Sequence, residues 1–432
     1  MDENKIPKVN EELFKGEVPT ELKEETYYAY LDSVEQVGGI LYIRLDCILK
    51  HVADDININK ETILNLPSII IEISAEANQI RSKFNYNPYN LESQWVVIKT
   101  TIKNTSLDQR QYFNFVQVGN PETTGNYDLD EVVLFNKLDN ESKLKIKEIV
   151  QATTLVESTE LEIKEFLESL DLSNLSYVNV YNVGQGNCNA LVTDRNQPIM
   201  YFDVGGGSGA NSGTYPANFK LCTTQNPSII LSHWDVDHIQ SAVFDSNLLN
   251  CKWLVPRHSS ISATAMHIAQ TLVNRGNLIC WNNVIPFYNF HNHRLVKCTG
   301  NPNYKNNSGL ALFVNYKMTN YCLLPGDATF NKIPHFPNGN LIGLVASHHG
   351  ARSGINGMPT AFKPAMLAYS FGTANTHRHA HSSAVKSYKL HGWGNGLETQ
   401  NGNIAMTSGL INLNPPCAGI TNNCSLSIIQ QF

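Results

Sequence analysis

The chain is 432 residues long, 42% hydrophobic and 16% charged. At about 100–200 residues per domain that makes two or three domains with cores of their own, which excludes a disordered chain or a fibre. No apolar run approaches the roughly 18–20 residues of a transmembrane helix. The net charge of −6 is unevenly spread. Residues 230–432 carry 13 Lys+Arg against 5 Asp+Glu, a balance of +8, which leaves −14 for the first 229. Of the 14 histidines, all but His51 lie in that basic half. A stretch poor in carboxylates, rich in imidazole and net basic suits a metal site serving an anionic substrate.

The N-terminus, MDENKIPKVNEELFKGE, is acidic and polar, unlike a signal or transit peptide. Nine cysteines without a CxxC pair read as reduced thiols of a cytoplasmic protein. Residues 1–25 read as a polar arm. From Tyr27 to about Leu138, short runs rich in β-branched and aromatic residues alternate with Asn, Gly, Pro and Asp. Residues 1–140 are therefore expected to form a β-rich recognition or assembly domain, an antiparallel sandwich or open barrel, able to take a protein partner. Between Ser142 and Leu170 the apolar spacing becomes helical, so 141–175 is expected as a helical linker. From 176 to 432, strands such as YVNVYNV, IMYFDV, SIIL, ALFVNY, CLLPGD, IGLVAS and MLAYSFG alternate with helical stretches such as SATAMHIAQTLVN and SSAVKSYKL. That order predicts a layered α/β domain.

The densest chemical signal is Ser232-His233-Trp234-Asp235-Val236-Asp237-His238, directly after the apolar strand SIIL. Two imidazoles and two carboxylates leaving a buried strand can fan toward one point and suit Zn²⁺, Mn²⁺ or Fe²⁺. A helix cap explains one aspartate but not this whole set. Asp327, His348-His349 and the stretch Asn375–His381 each follow a further strand, so four strand ends point to one centre. GGGSG at 205–209 is no phosphate loop, because no GK[ST] follows. Cys251 and His258 have no orienting partner that would make a nucleophile.

The ordered pieces NVGQGNCNALV, IMYFDVGGG, LSHWDVDHI, NNSGLALFVNY, CLLPGDAT, VASHHGA and FGTANTHRHAH make segment 177–410 resemble the metallo-β-lactamase fold, in the branch of the DNA-internalisation competence proteins. Residues 1–170 have no counterpart there, and the chain carries no membrane channel. The resemblance implies a four-layer αββα sandwich preceded by the β-rich domain. It implies two divalent ions, zinc or manganese, on His233, Asp235, Asp237, His238, Asp327 and His348. His348 and His349 compete for the last metal place, with His348 favoured. Asp237, His349 and His379 fall where the family's catalytic groups stand, and Asp203 where an aspartate orients the metal loop. Asn307, Arg352 and Arg378 are the candidate substrate contacts.

The departures are specific. Gln240-Ser241 replace two glycines after the metal run, Asn187 an aspartate, Asn307 a third histidine, and Arg378 and Ala380 a Gly and a Pro. They point toward an oxygen-rich site selective for Mn²⁺ over Zn²⁺. The expected activity is metal-dependent phosphodiester hydrolysis, foremost of DNA or RNA, in a nuclease controlled by a partner. A small phosphoester or thioester substrate, or a binding module that has lost catalysis, are the other readings.

Overall fold

The computed structural model describes residues 25–66, 68–84, 90–100, 112–117, 120–128, 132–135, 137–217, 219–317, 319–407 and 428–431. The expected N-terminal arm, and Cys417 and Cys424, lie outside these. The described chain is mixed α/β, with three sheets and eight α-helices. It divides into two compact units. One runs to Thr154 and takes back Ser259–Asn274; the other holds Leu155–His258 and the chain from Arg275 onward.

The first of these units is built on one seven-stranded antiparallel sheet in place of the expected sandwich or barrel. Its spatial order is Asn120–Asp128, Tyr112–Gln117, Ser68–Glu76, Ile40–Leu49, Glu25–Val37, Trp95–Thr100 and Val132–Phe135. Tyr27, Ala29 and Leu31 alternate onto the same face as Ile43, Leu45, Ile71 and Ile73, which form its core. The helix Ala263–Asn274 belongs here and not to the α/β half in which its sequence lies. Thr264 N–H donates to Asp46 Oδ2 at 2.8 Å, His267 Nε2–H to the Ile63 carbonyl at 2.8 Å, and Trp95 Nε1–H to Ser260 Oγ at 3.0 Å.

The expected helical linker is two helices, one in each unit. Asn140–Thr153 starts on Asp139, whose side chain accepts from Ser142 N–H. Glu160–Glu168 starts with a capping box between Thr159 and Glu162 and buries Ile163, Phe166 and Leu167. Burying each of those three side chains is worth about 1.5–3 kcal/mol.

The second unit holds two mixed sheets, one of eight and one of seven strands. In the first, Leu278–Cys280, Trp253–Val255, Ser228–Ile230 and Pro198–Val204 run parallel, followed by Cys188–Thr193, Leu175–Val180, Ile404–Thr407 and Ile428–Gln431. In the second, the order is Phe287–Phe290, His293–Lys297, Leu310–Lys317, Asn320–Leu324, Asn340–Val345, Met366–Tyr369 and Leu397–Glu398. Phe202 and Ile230 of the one sheet share a single core with Leu312, Leu324 and Val345 of the other. Ala384 and Tyr388 of the helix Ser382–Leu390 join Phe313, Leu323 and Leu344 in a second core on the other face of the seven-stranded sheet. The alternate residues of one strand thus feed two cores. Among the described residues no helix is long and apolar enough to cross a membrane.

Candidate metal centre

Strand ends of both sheets in this unit deliver the site. Ser228–Ile230 is buried on both sides and gives way within two residues to the metal-ligand run, which opens the helix Val236–Phe244. Asp235 occupies the N-cap position of that helix, yet its side chain makes no capping bond. Instead Oδ1 meets Lys305 Nζ at 2.5 Å and Oδ2 lies 3.2 Å from His233 Nε2. Asp237, in the first turn, faces His349, with Nε2 to Oδ2 at 3.2 Å.

Asp327 is the hub. Its Oδ1 lies 3.2 Å from His238 Nε2 and 3.8 Å from His349 Nε2. Its Oδ2 lies 3.8 Å from His233 Nε2 and 3.6 Å from His348 Nε2. His379 completes the wall, its ring stacked on that of His349 with centroids 5.8 Å apart. The sequence run 233–238, Asp327, the 348–349 pair and His379 therefore do meet.

Each imidazole is held by its rear nitrogen, which leaves Nε2 for the centre. His238 Nδ1–H donates to Asp203 Oδ2 at 2.9 Å. His349 Nδ1–H donates to the Ser370 carbonyl at 2.8 Å. Ser232 Oγ–H donates to Asp203 at 2.8 Å, so the same oxygen accepts from His233 Nδ1–H at 3.0 Å. Such rear partners fix ring orientation and raise ligand basicity. The Nε2 atoms of His233, His238 and His349, with Asp327 Oδ1 and Asp235 Oδ1, are buried without a hydrogen-bond partner, Asp235 Oδ1 having only its ion pair with Lys305. Buried polar atoms left without partners at this density are costly unless a cation satisfies them. Among the described residues two groups have donor atoms mutually within 4.8 Å: His233, His238 and Asp327, and Asp237, His238 and His349. The donor set of imidazole and carboxylate fits a divalent transition ion.

The electrostatics reflect the crowding. Burial resists a charge on His238, but the carboxylates of Asp327 and Asp203 outweigh it and hold the ring's pKa well above the ordinary value. Burial also works against ionised Asp327, and the His348, His238 and His349 rings outweigh it, so its carboxyl sits well below the usual range. For Asp235 burial is overcome by Lys305 and His233, which bring it down to about 2.

No family model matches the chain, and neither does any curated protein or solved structure.

Of the two adjacent imidazoles, His349 and not the favoured His348 joins Asp237 and His238 in a ligand group. Both residues have left-handed backbone, φ 50° and 56°. Of the candidate substrate contacts, Asn307 has its Oδ1 engaged within the chain, accepting from Thr329 N–H at 3.0 Å and Thr329 Oγ1–H at 2.9 Å. Arg352 and Arg378 are exposed. Sequence reasoning missed Lys305, buried at 1% exposure, whose only cue was its place two residues before Asn307. It also missed Gln185, whose side-chain nitrogen meets His379 Nδ1 at 3.0 Å from the GQG turn. His258, dismissed as a nucleophile, is buried with both ring nitrogens unpartnered. Its pKa is driven well down by burial, then by the neighbouring Lys297, His233 and Lys305.

Proposed function

We propose that the chain is a divalent-metal-dependent phosphodiesterase with a metallo-β-lactamase-like αββα domain, a nuclease acting on DNA or RNA. The N-terminal unit would serve a protein partner that controls it. The observation that carries the reading is the convergence of four imidazoles on Asp327, three of them with buried, unpartnered Nε2 atoms. A buried cluster of lone pairs held from behind by fixed hydrogen bonds is the preorganised state that a metal site needs. When bound, a divalent ion there would lower the pKa of a water toward neutrality and polarise a phosphoryl oxygen.

The chain's own groups supply the rest. His238, His349, Asp237 and Asp327 would hold the ion, and Asp203 and Ser370 would keep the rings facing it. With the Gln185 amide nitrogen facing Nδ1, the proton of neutral His379 sits on Nε2, placed to donate to a leaving oxygen beside His349. Exposed Arg352 and Arg378 would meet the flanking phosphates of a polymer, contacts weakened by salt. That surface position favours a polymer over a small phosphoester enclosed in the site.

The test is cleavage of single- and double-stranded DNA, RNA and bis(p-nitrophenyl) phosphate by metal-loaded protein. Mn²⁺ or Zn²⁺ should support turnover that is abolished in Asp237→Ala and His238→Ala. A folded, metal-loaded protein that cleaves none of these, with and without its partner, would end the nuclease reading.

A further inference from the structure

His238 has a single lone pair to give. Its Nδ1–H is committed to Asp203, which leaves Nε2, and both candidate ligand groups require that same atom. One nitrogen lone pair binds one ion, so the two groups are alternative drawings of one seat and cannot both be filled as they stand. The atoms around it are Asp327 Oδ1, 3.2 Å from His238 Nε2 and 3.8 Å from His349 Nε2, and Asp237 Oδ2, 3.2 Å from His349 Nε2. Around His238 Nε2 the chain thus offers four donors, Asp237 and Asp327 coming from different groups, the number a tetrahedral ion takes without Asp235.

Asp235 is already occupied. Lys305 Nζ lies 2.5 Å from its Oδ1, and the side chains of both are buried, at 0% and 4% exposure. A buried ammonium is stable only beside a fixed counter-charge. Here that counter-charge is the first carboxylate of the metal-ligand run, whose other oxygen faces His233. The cation that Asp235 would otherwise share with His233 is therefore present as part of the chain.

We infer that Lys305 takes the place of one of the two expected ions: the centre holds a single divalent ion on Asp237, His238, His349 and Asp327, with the Lys305 ammonium on Asp235 as the second positive charge. This rests on the metal-site reading above and sets its stoichiometry. Lys305 is a positioning residue, because it orders Asp235 and His233 and touches no substrate. A lysine is a point charge without Lewis-acid vacancy, so only one side of the phosphoryl group meets an ion. In this it departs from a two-ion clamp on attacking and leaving oxygens.

The experiment is elemental analysis of the full chain, purified without chelator, saturated with Mn²⁺ or Zn²⁺ and dialysed. The wild type should retain one ion per chain, Lys305→Ala two, and the doubly neutral Asp235→Asn/Lys305→Met variant one. Two ions in the wild type would overturn the inference and leave the metal reading standing; none would end both. One ion in folded Lys305→Ala would also overturn it, since the vacated place then draws no cation. Independently of any variant, anomalous scattering from wild-type crystals grown with Mn²⁺ should show one peak at His238 Nε2. A second peak within bonding reach of Asp235 would refute the proposal.

Discussion

The carboxylate of Asp203 binds the back of His238, Oδ2 to Nδ1 at 2.9 Å, and the same group holds the metal-ligand run at its root. Oδ1 accepts from Ser232 N–H at 2.6 Å, and Oδ2 accepts from Ser232 Oγ–H at 2.8 Å and Asn187 Nδ2–H at 2.9 Å. Asp203 is fully buried and sits in the left-handed region at φ 64°, a conformation a non-glycine residue keeps only when its surroundings require it. From behind the ring it fixes where His238 points. Asp203→Asn keeps the shape and turns one acceptor into a donor facing Ser232 and His238. Metal affinity should fall by about 10–100-fold while the fold survives. A chelator-competition titration reads this directly, and unchanged affinity would dismiss the role.

Glycines at 186, 205 and 206 bring two loops onto the Asp237 backbone. The Asp237 carbonyl accepts from Asn187 N–H and Gly206 N–H, both at 3.1 Å. A Cβ on Gly205 would lie 1.8 Å from that carbonyl oxygen, a clash that no side-chain rotation relieves. Gly205→Ala should therefore lose about 1–3 kcal/mol or more of stability and displace Asp237. Gly213→Ala, whose Cβ meets nothing within 4 Å, should change stability by less than about 0.5 kcal/mol. Chemical denaturation of the pair measures the contrast, and equal midpoints would refute it.

How much of this was legible in the sequence depends on where the determining contact lies. The run from Ser232 to His238 could be read because an apolar strand and its polar turn are contiguous, and the strand ends at Asp327 and His348-His349 follow the same rule. Two adjacent imidazoles are not distinguished by sequence; in the structure both have left-handed backbone, and His349 stands in a ligand group with Asp237 and His238. Lys305 carries no motif; only its approach to Asp235 from a separate short helix, Lys305–Ser308, makes it part of the site. The helix Ala263–Asn274 buries residues around almost its whole circumference, Ala263 through Gln270 without a break. It offers no polar face to betray which sheet it covers, so its allegiance to the N-terminal unit was invisible to periodicity.

The two neighbouring histidines should separate by function. His349 Nε2 stands between Asp237 and Asp327, whereas His348 Nε2 faces the other oxygen of Asp327 at 3.6 Å, its Nδ1 lies 3.1 Å from Ser353 Oγ, and its side chain is 14% exposed. His349→Ala should abolish stable metal retention. His348→Ala should keep the ion and lower turnover. Metal content measured beside kcat distinguishes them, and the reverse pattern would restore the assignment first favoured from sequence.

Metal binding should release a proton from His238. In the metal-free chain, Asp327 and Asp203 raise that ring's pKa well above the ordinary imidazole value against the opposing effect of burial. The stability this contributes is complete below the unfolded value of about 6.5 and is lost as pH rises through the folded one. Asp327 runs the other way: burial is outweighed by the His348, His238 and His349 rings, so its contribution is present above about 3.9 and is lost as pH falls through its depressed folded value. Both directions favour a protonated His238 against an ionised Asp327 in the metal-free site, their nearest atoms 3.2 Å apart. An incoming ion must take the Nε2 lone pair that the proton occupies, so apparent affinity should weaken about tenfold for each unit of pH lowered below the ring's pKa. Calorimetric titration in two buffers of different ionisation enthalpy counts the protons set free. Asp203→Asn, by removing one of the two charges that hold the proton, should reduce the number released near pH 7. A binding enthalpy independent of buffer would show that His238 is already neutral and that its two carboxylates do not act as the geometry indicates.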